Sequence, residues 1–330
     1  MIGFLKGLGS LRLTLVAFVF LAAGILIAYF SETHTSPWLV AALVLLAVNL
    51  LATILTRPHF RQQKSLLFFH LSLLLLILLI AVGQLSYLIG RVEVLEGTEF
   101  SGVLLDADEG PWHHRDLDKV RFVNHGFSIG YGEGMYRLRT YNRVSGIDDA
   151  GKAFEAVIGD HVPLVLNGYR FYTTSNKGFA LIFDWQRPGL PPLRGSINLP
   201  SYPANALRQA QQWILPGMGE PVWVMLQLAD EIIKEDQAGE FQLPSRYRIV
   251  IRYGDERFEL PEISPESGPD LQQGVDLPGG RLNYIGVRSW MGYKVTYDPT
   301  LSWLLTVAVF AVLLMAWHFW QKFAAHPWSE

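Results

Sequence analysis

The chain of 330 residues has no cysteine. That absence excludes structural disulfides, C-x-x-C redox chemistry, thiolate metal sites and covalent haem attachment to the chain itself. Charge is also scarce, at 17% of residues against 50% hydrophobic, where soluble proteins carry about 25% charged residues. No G-x-S-x-G, H-E-x-x-H or P-loop signature occurs, so the common self-sufficient hydrolase, metalloprotease and nucleotide sites are missing. No basic stripe suited to nucleic acid is present, and no fixed-period repeat is evident.

The scarcity of charge has an address. Ser65–Ile89 runs 25 residues without Asp, Glu, Lys or Arg, the length and polarity of a transmembrane helix. Three similar runs, about Leu13–Phe30, Pro37–Thr56 and Leu301–Gln321, make four predicted spans. The first follows Lys6 and Arg12 as a signal peptide does. It is long, lacks a small-residue cleavage site and precedes a second span at once, so it is expected to stay as an anchor. Basic residues set the orientation. Lys6 and Arg12, then Arg57, Arg61 and Lys64, then Lys322, belong on the cytoplasmic side, which puts both termini inside. Trp38, Tyr87 and Trp303 then fall at outer span ends, with Trp317 and Trp320 near the inner end.

The sequence thus predicts an integral membrane α-helical protein with four transmembrane helices, three N-terminal and one C-terminal. A large extracytoplasmic, mainly-β domain lies between them. Three transmembrane helices occupy residues 1–90 and the β-rich domain occupies 91–298. The last helix and a short cytoplasmic tail occupy 299–330. The middle block holds 21 Lys+Arg and 28 Asp+Glu. Tyr169–Trp185 reads as two strands turning at Ser175-Asn176-Lys177-Gly178, and Arg246–Leu260 as a hairpin turning at Gly254-Asp255. Arg281–Tyr297 continues in that style, with turns or bulges at Gly286 and Gly292. Val222, Met225, Ala229, Ile232 and Ile233 share a helical face, which predicts a helix over Val222–Asp236. Ala204–Ile214 is a second candidate helix. Arg187–Ser196 and Ser264–Gly280, rich in Pro and Gly, read as loops.

The ionisable groups inside predicted spans are two histidines. His70 lies roughly 7 Å past Ser65 along the helix, and His318 about 26 Å past Leu301. Across a core about 30 Å thick, both fall near the basic side. An ionisable residue within a span is a functional candidate. A neutral imidazole in an apolar setting is the usual axial ligand of haem iron, and it is also an ordinary hydrogen-bond partner for a neighbouring helix. His70 admits both readings. His318, between Trp317 and Trp320, reads first as an interfacial residue. His113-His114 reads as a solvated loop, His34 as part of a short outer loop, and His59 and His326 as cytoplasmic surface. His125 and His161 stand alone, and the acids Asp106, Asp108 and Glu109 read as a solvated face.

These residues resemble a family. Leu8-Gly9-Ser10-Leu11-Arg12-Leu13-Thr14 is similar to the N-terminal signature of ResB/CcsB proteins of System II cytochrome c biogenesis. Asn49 in the second span, Phe69-His70-Leu71 early in the third, and Gly90-Arg91-Val92 followed by Leu95-Glu96-Gly97 continue the likeness. So do the stretch Asn167–Ser175 (NGYRFYTTS) and Val295-Thr296-Tyr297-Asp298-Pro299 before the last span. The chain resembles the short, unfused form and lacks the W-W-D segment of the partner, CcsA. The resemblance implies a multi-pass protein of the bacterial cytoplasmic (inner) membrane that handles haem b in transit with a CcsA-type partner, for attachment to apocytochrome c. It implies His70 as an axial ligand of the haem iron, with a partner histidine opposite, and a non-catalytic or co-catalytic role. Two other readings stay open at this stage: a single-chain cytochrome b ligated by His70 and His318, and a cofactor-free assembly scaffold.

Overall fold

Two serines open the first long helices. Ser10 Oγ accepts from Leu13 N at 3.3 Å and Ser36 Oγ from Leu39 N at 3.3 Å, each satisfying an otherwise orphaned donor at a helix start. In the computed structural model, which describes residues 2–31, 36–203, 207–265 and 273–325, the helices are α1 Ile2–Leu8, α2 Leu11–Phe30, α3 Pro37–Thr56, α4 Pro58–Gln62, α5 Lys64–Ser86 and α6 Leu301–Ala325. The helices α2, α3, α5 and α6 are long and apolar enough to cross a membrane. His34 and His326 lie outside the described residues.

The helices pack as membrane helices do. Gly24 of α2 meets α3 so closely that a Cβ there would lie 2.9 Å from Leu39 N; small residues allow such backbone approach where lipid offers no hydrophobic drive. Asn49 of α3, 3% exposed, donates from Nδ2 to Leu8 O at 2.5 Å and accepts on Oδ1 from Thr14 Oγ1 at 2.7 Å. It thereby ties the start of α2 to mid-α3 and leaves no bare amide in hydrocarbon. Outward apolar residues such as Val19, Leu305 and Leu313 stay exposed, as a lipid-facing surface does. The third span ends at Ser86 rather than at the expected Ile89. There Tyr87 turns extended, its OH donating to Asp108 Oδ1 at 2.6 Å and its carbonyl accepting from Gly110 N at 2.8 Å.

The strands are β1 Leu88–Leu95, β2 Asp106–Glu109, β3 Phe122–Gly132, β4 Tyr136–Ile147, β5 Ala153–Gly159, β6 Leu164–Leu166, β7 Tyr169–Gln186 and β8 Leu193–Asn198. They continue with β9 Arg208–Trp213, β10 Val222–Leu228, β11 Gly239–Glu240, β12 Tyr247–Tyr253, β13 Glu256–Glu259, β14 Gly274–Leu277 and β15 Gly280–Tyr297. One sheet runs β2-β1-β15-β7-β6, with β14 on β15 and β8 on β7. The other two run β13-β12-β10-β9 and β11-β3-β4-β5. By contacts the chain falls into two units. One comprises Met1–Ile89, Ala107–Arg115 and Thr296–Glu330; the other comprises Gly90–Asp106 and Asp116–Val295.

The second unit's core joins Phe179, Leu181, Phe183 and Trp185 of β7 to Val222, Val224 and Leu226 of β10 and Ile249 and Ile251 of β12. Beside it a buried polar chain runs through three fully buried side chains. Tyr293 OH donates to Asn142 Oδ1 at 2.6 Å, Asn142 Nδ2 to Asn124 Oδ1 at 2.7 Å, and Asn124 Nδ2 to Val94 O at 2.9 Å. Such a network fixes strand register once every member is satisfied.

Several expectations are corrected. Val222–Asp236 is not a helix; its first half is β10, buried at every second residue and paired with β9 and β12. The Val222, Val224, Leu226, Leu228 alternation outweighed the helical spacing, as cross-strand packing often does. Within Ala204–Ile214, Arg208–Trp213 forms β9 and residues 204–206 lie outside the described residues. No turn occurs at Ser175–Gly178, because β7 runs unbroken for 18 residues. The reversal sits at Asn167-Gly168, both left-handed (φ 49° and 78°), with Leu166 opposite Tyr169. That is the two-residue Asn-Gly hairpin. The turn at Gly254-Asp255 is as expected, with Tyr253 opposite Glu256. Arg281–Tyr297 is one strand, and Gly292 lets β7 approach: a Cβ would meet Asn176 O at 2.6 Å. The expected loops contain β8 and β14; residues 266–272 are not described.

Straightening of β7 buries Lys177 to 3% exposure, with its Nζ donating to Thr174 O at 2.8 Å. Burial, reinforced by the Arg137 charge, pushes its ammonium down to about 8. The unfolded chain therefore holds more protons between the folded and the ordinary lysine value, and stability rises with pH in that window. Above pH 10 the buried tyrosines Tyr284 and Tyr293, whose hydroxyls burial pushes up, reverse the trend. Chemical denaturation of the chain in detergent should show stability gaining about 1 kcal/mol from pH 8 to 9, before the tyrosines titrate. Lys177→Met should flatten that rise; an unchanged slope in the variant would contradict the assignment.

Candidate functional site

α4 and α5 build the site around His70. Pro58 occupies the first turn of α4, where its missing N–H costs nothing, and the short helix buries Phe60 to 8% exposure. α5 follows, and its seventh residue is His70. The Nδ1 of His70 lies 2.9 Å from the Leu66 carbonyl oxygen. A carbonyl only accepts, so Nδ1 carries the hydrogen and the neutral ring keeps its lone pair on Nε2. The Phe60 ring meets the imidazole at 4.7 Å and 69°, and the Phe69 ring at 5.2 Å and 87°. The ring is half-buried, held edge-on by two aromatics. One nitrogen is satisfied and the other, among the described residues, takes no hydrogen bond. That is the second-contact pattern by which proteins orient an imidazole for a metal.

His318 belongs to a different arrangement. Its Nδ1 is 3.2 Å from Ser65 Oγ, and Ser65 Oγ donates to Gln321 Oε1 at 2.9 Å. The single Ser65 proton goes to Gln321, so His318 Nδ1 supplies the proton of the other bond and Nε2 again holds the lone pair. Ser65 precedes His70 by five residues, which on an α-helix turns it about 140° away. The structure thus does not gather the two imidazoles on one face of α5. His70 stands against Phe60 and His318 stands on the Ser65 side.

The other candidates have structural partners. His113 is not solvated: it is 7% exposed, its Nδ1 is 3.2 Å from Glu109 Oε2 and its ring lies 5.3 Å from Tyr297. His125 Nε2 is 2.6 Å from Ser145 Oγ. The acids at 106–109 are paired as well: Asp106 with Arg91, Asp108 with Tyr87, and Glu109 with Arg115 at 2.8 Å. Among the described residues no group of three His, Asp or Glu side chains is arranged to hold a metal ion. His59, His114 and His161 are exposed.

Phe60 and Ser65 are the residues that the sequence reading passed over. Phe60 sat in what read as a basic loop, although Pro58 before an apolar residue is a helix-start signal. Ser65 was visible only as the first residue of a span; its burial against α6 is a tertiary fact.

No curated protein matches the chain. Residues 59–187 match the ResB-like family model. The matched segment runs from α4 through β7, taking in His70 and leaving α6 and His318 outside. Over this segment the chain is similar to the ResB-like family.

Proposed function

We propose that this chain is the ResB-like subunit of a System II cytochrome c synthesis complex, binding haem b at His70 within the membrane and passing it across with a CcsA-type partner. The ResB-like match supports a part in cytochrome c biogenesis in general. The observation that carries the finer reading is the His70 ring, with Nδ1 bound to Leu66 O and Nε2 open beside Phe60 and Phe69.

The physical logic is that of a carrier. Haem is a large apolar disc with two carboxylates, and its passage through hydrocarbon needs a ligand that does not itself carry charge. A neutral imidazole supplies one such bond. The carbonyl of Leu66 stops the ring from flipping, and the two phenylalanines hold its plane. Among the described residues His70 is the imidazole on that face of α5, and in this reading the second ligand comes from the partner. With no cysteine, the chain leaves thioether formation to the apocytochrome thiols. The single-chain cytochrome b reading is disfavoured because His318 lies around the helix from His70.

In this reading the protein sits in the bacterial cytoplasmic membrane with both termini and the Arg57–Lys64 segment inside. The absence of native cysteine makes labelling clean. In intact cells, cysteine at Gln212 should react with an impermeant thiol reagent and cysteine at Gln62 should not; both positions are exposed. The opposite pattern inverts the orientation.

His70→Ala removes the ligand and keeps the apolar packing of α5. The variant should assemble in the membrane with its partner, lose most of its haem or show a shifted Soret band, and fail in cytochrome c maturation. Added imidazole should partly restore both. Full haem occupancy in His70→Ala, with an unchanged spectrum, would rule out the assignment.

A further inference from the structure

At the basic ends of α5 and α6 lies a cavity of about 670 Å³, lined among others by His59, Lys64, Leu66, Trp317, His318 and Lys322. That volume lies within the range of about 300–1,000 Å³ typical of small-molecule sites. Three features of its wall bear on what it holds.

The first is the lone pair. His318 is oriented by Ser65, itself only 2% exposed, whose hydroxyl is committed to Gln321. The neutral His318 therefore presents Nε2 as an acceptor. An acceptor repels a phosphate oxygen, yet it is what a metal centre or a hydrogen-bond donor needs. The second is charge. Lys64 and Lys322 both line the space, and neither forms an ion pair with any described residue. The N-terminus of α5, whose Gln63 makes no side-chain cap, adds to the positive potential. The third is an apolar flank from Trp317 and Leu66. A ligand that answers all three has a metal centre, a flat apolar body and two acidic groups.

We infer that this cavity is a loading site for an iron porphyrin dicarboxylate, with His318 Nε2 on the iron and the two carboxylates on Lys64 and Lys322. The inference rests on the reading of the chain as a haem carrier and adds a station distinct from His70, five residues along α5 and around the helix from it. Binding is a ligand exchange: the Nε2 lone pair replaces a water on the iron, and no electron is transferred. The basic end receives the dianion, and the uncharged face around His70 takes the disc further into hydrocarbon.

The test uses the full chain in neutral detergent, titrated with iron(III) protoporphyrin IX and, in parallel, with its dimethyl ester. Soret absorbance and tryptophan quenching are the readouts. In a His70→Ala background the free acid should still bind with a Soret shift, and His318→Gln should abolish that shift. Lys64→Gln or Lys322→Gln should each weaken the free acid roughly five- to ten-fold and leave the ester unaffected. The ester should bind the parent chain more weakly than the free acid, an arm that needs no variant.

Equal affinity for ester and acid overturns the lysine assignment. A His70→Ala chain without any His318-dependent band overturns the site, while the loss of the His70-dependent band in the same spectra leaves the carrier reading standing. If His70→Ala changes nothing and the His318 band persists, the carrier reading at His70 fails and this site stands. Displacement of the porphyrin by phosphatidylglycerol vesicles, with no His318-dependent spectrum, identifies a lipid phosphate site and overturns the proposal.

Discussion

Hydrocarbon solvates no polar group, so each polar atom within a membrane helix must be satisfied by the protein or reserved for a ligand. Most polar groups of the helical unit obey this, with Gln84 Oε1 of α5 a buried exception. Asn49 spends its amide on Leu8 O and Thr14. Ser65 spends its hydroxyl on Gln321 while receiving His318. Ser72 donates back to Phe69 O at 2.6 Å. His70 follows the rule at one nitrogen and departs from it at the other. The same hydrogen bond that satisfies Nδ1 fixes the lone pair on Nε2, so structural order and ligand capacity come from one contact. An imidazole placed on an apolar helix without the Leu66 bond would be free to turn, and would offer a metal no defined direction.

How much of this was legible in the sequence depends on the range of the forces involved. Long uncharged runs report burial in lipid directly, so α2, α3, α5 and α6 were readable within a few residues. The third span was read too long because Leu88 and Ile89 are apolar for a different reason: they begin β1. Turns that need left-handed backbone were readable where the residues force it, as at Gly254-Asp255. Asn167-Gly168 carried the same signal, and the nearby Ser-Asn-Lys-Gly run drew the reversal away from it. β10 was misread because its apolar residues satisfy both a helical face and an alternating strand, and only β9 and β12 on either side decide between them. At the site, His70 stood out as the ionisable residue of an uncharged run. Its neighbours Phe60 and Ser65 did not, because their roles come from α4 and α6 packing on α5.

In the sheet unit, specificity is held by polar groups within the apolar core. The Tyr293, Asn142 and Asn124 chain crosses from β15 to β4 and β3 and ends on Val94 O. Each member is satisfied at a cost that only one strand arrangement repays. Lys177 is a buried cation whose Nζ donates to Thr174 O, and burial pushes its ammonium value down.

The account turns on which nitrogen of His70 carries the proton. Nitrogen-15 NMR of histidine-labelled chain in lipid nanodiscs at neutral pH reads this directly, with His70→Gln identifying the signals by difference. The account predicts a protonated, pyrrole-like Nδ1 and an unprotonated, pyridine-like Nε2 before any haem is added. A pyridine-like Nδ1 with the proton on Nε2 would contradict it, because Nε2 would then have no lone pair to give.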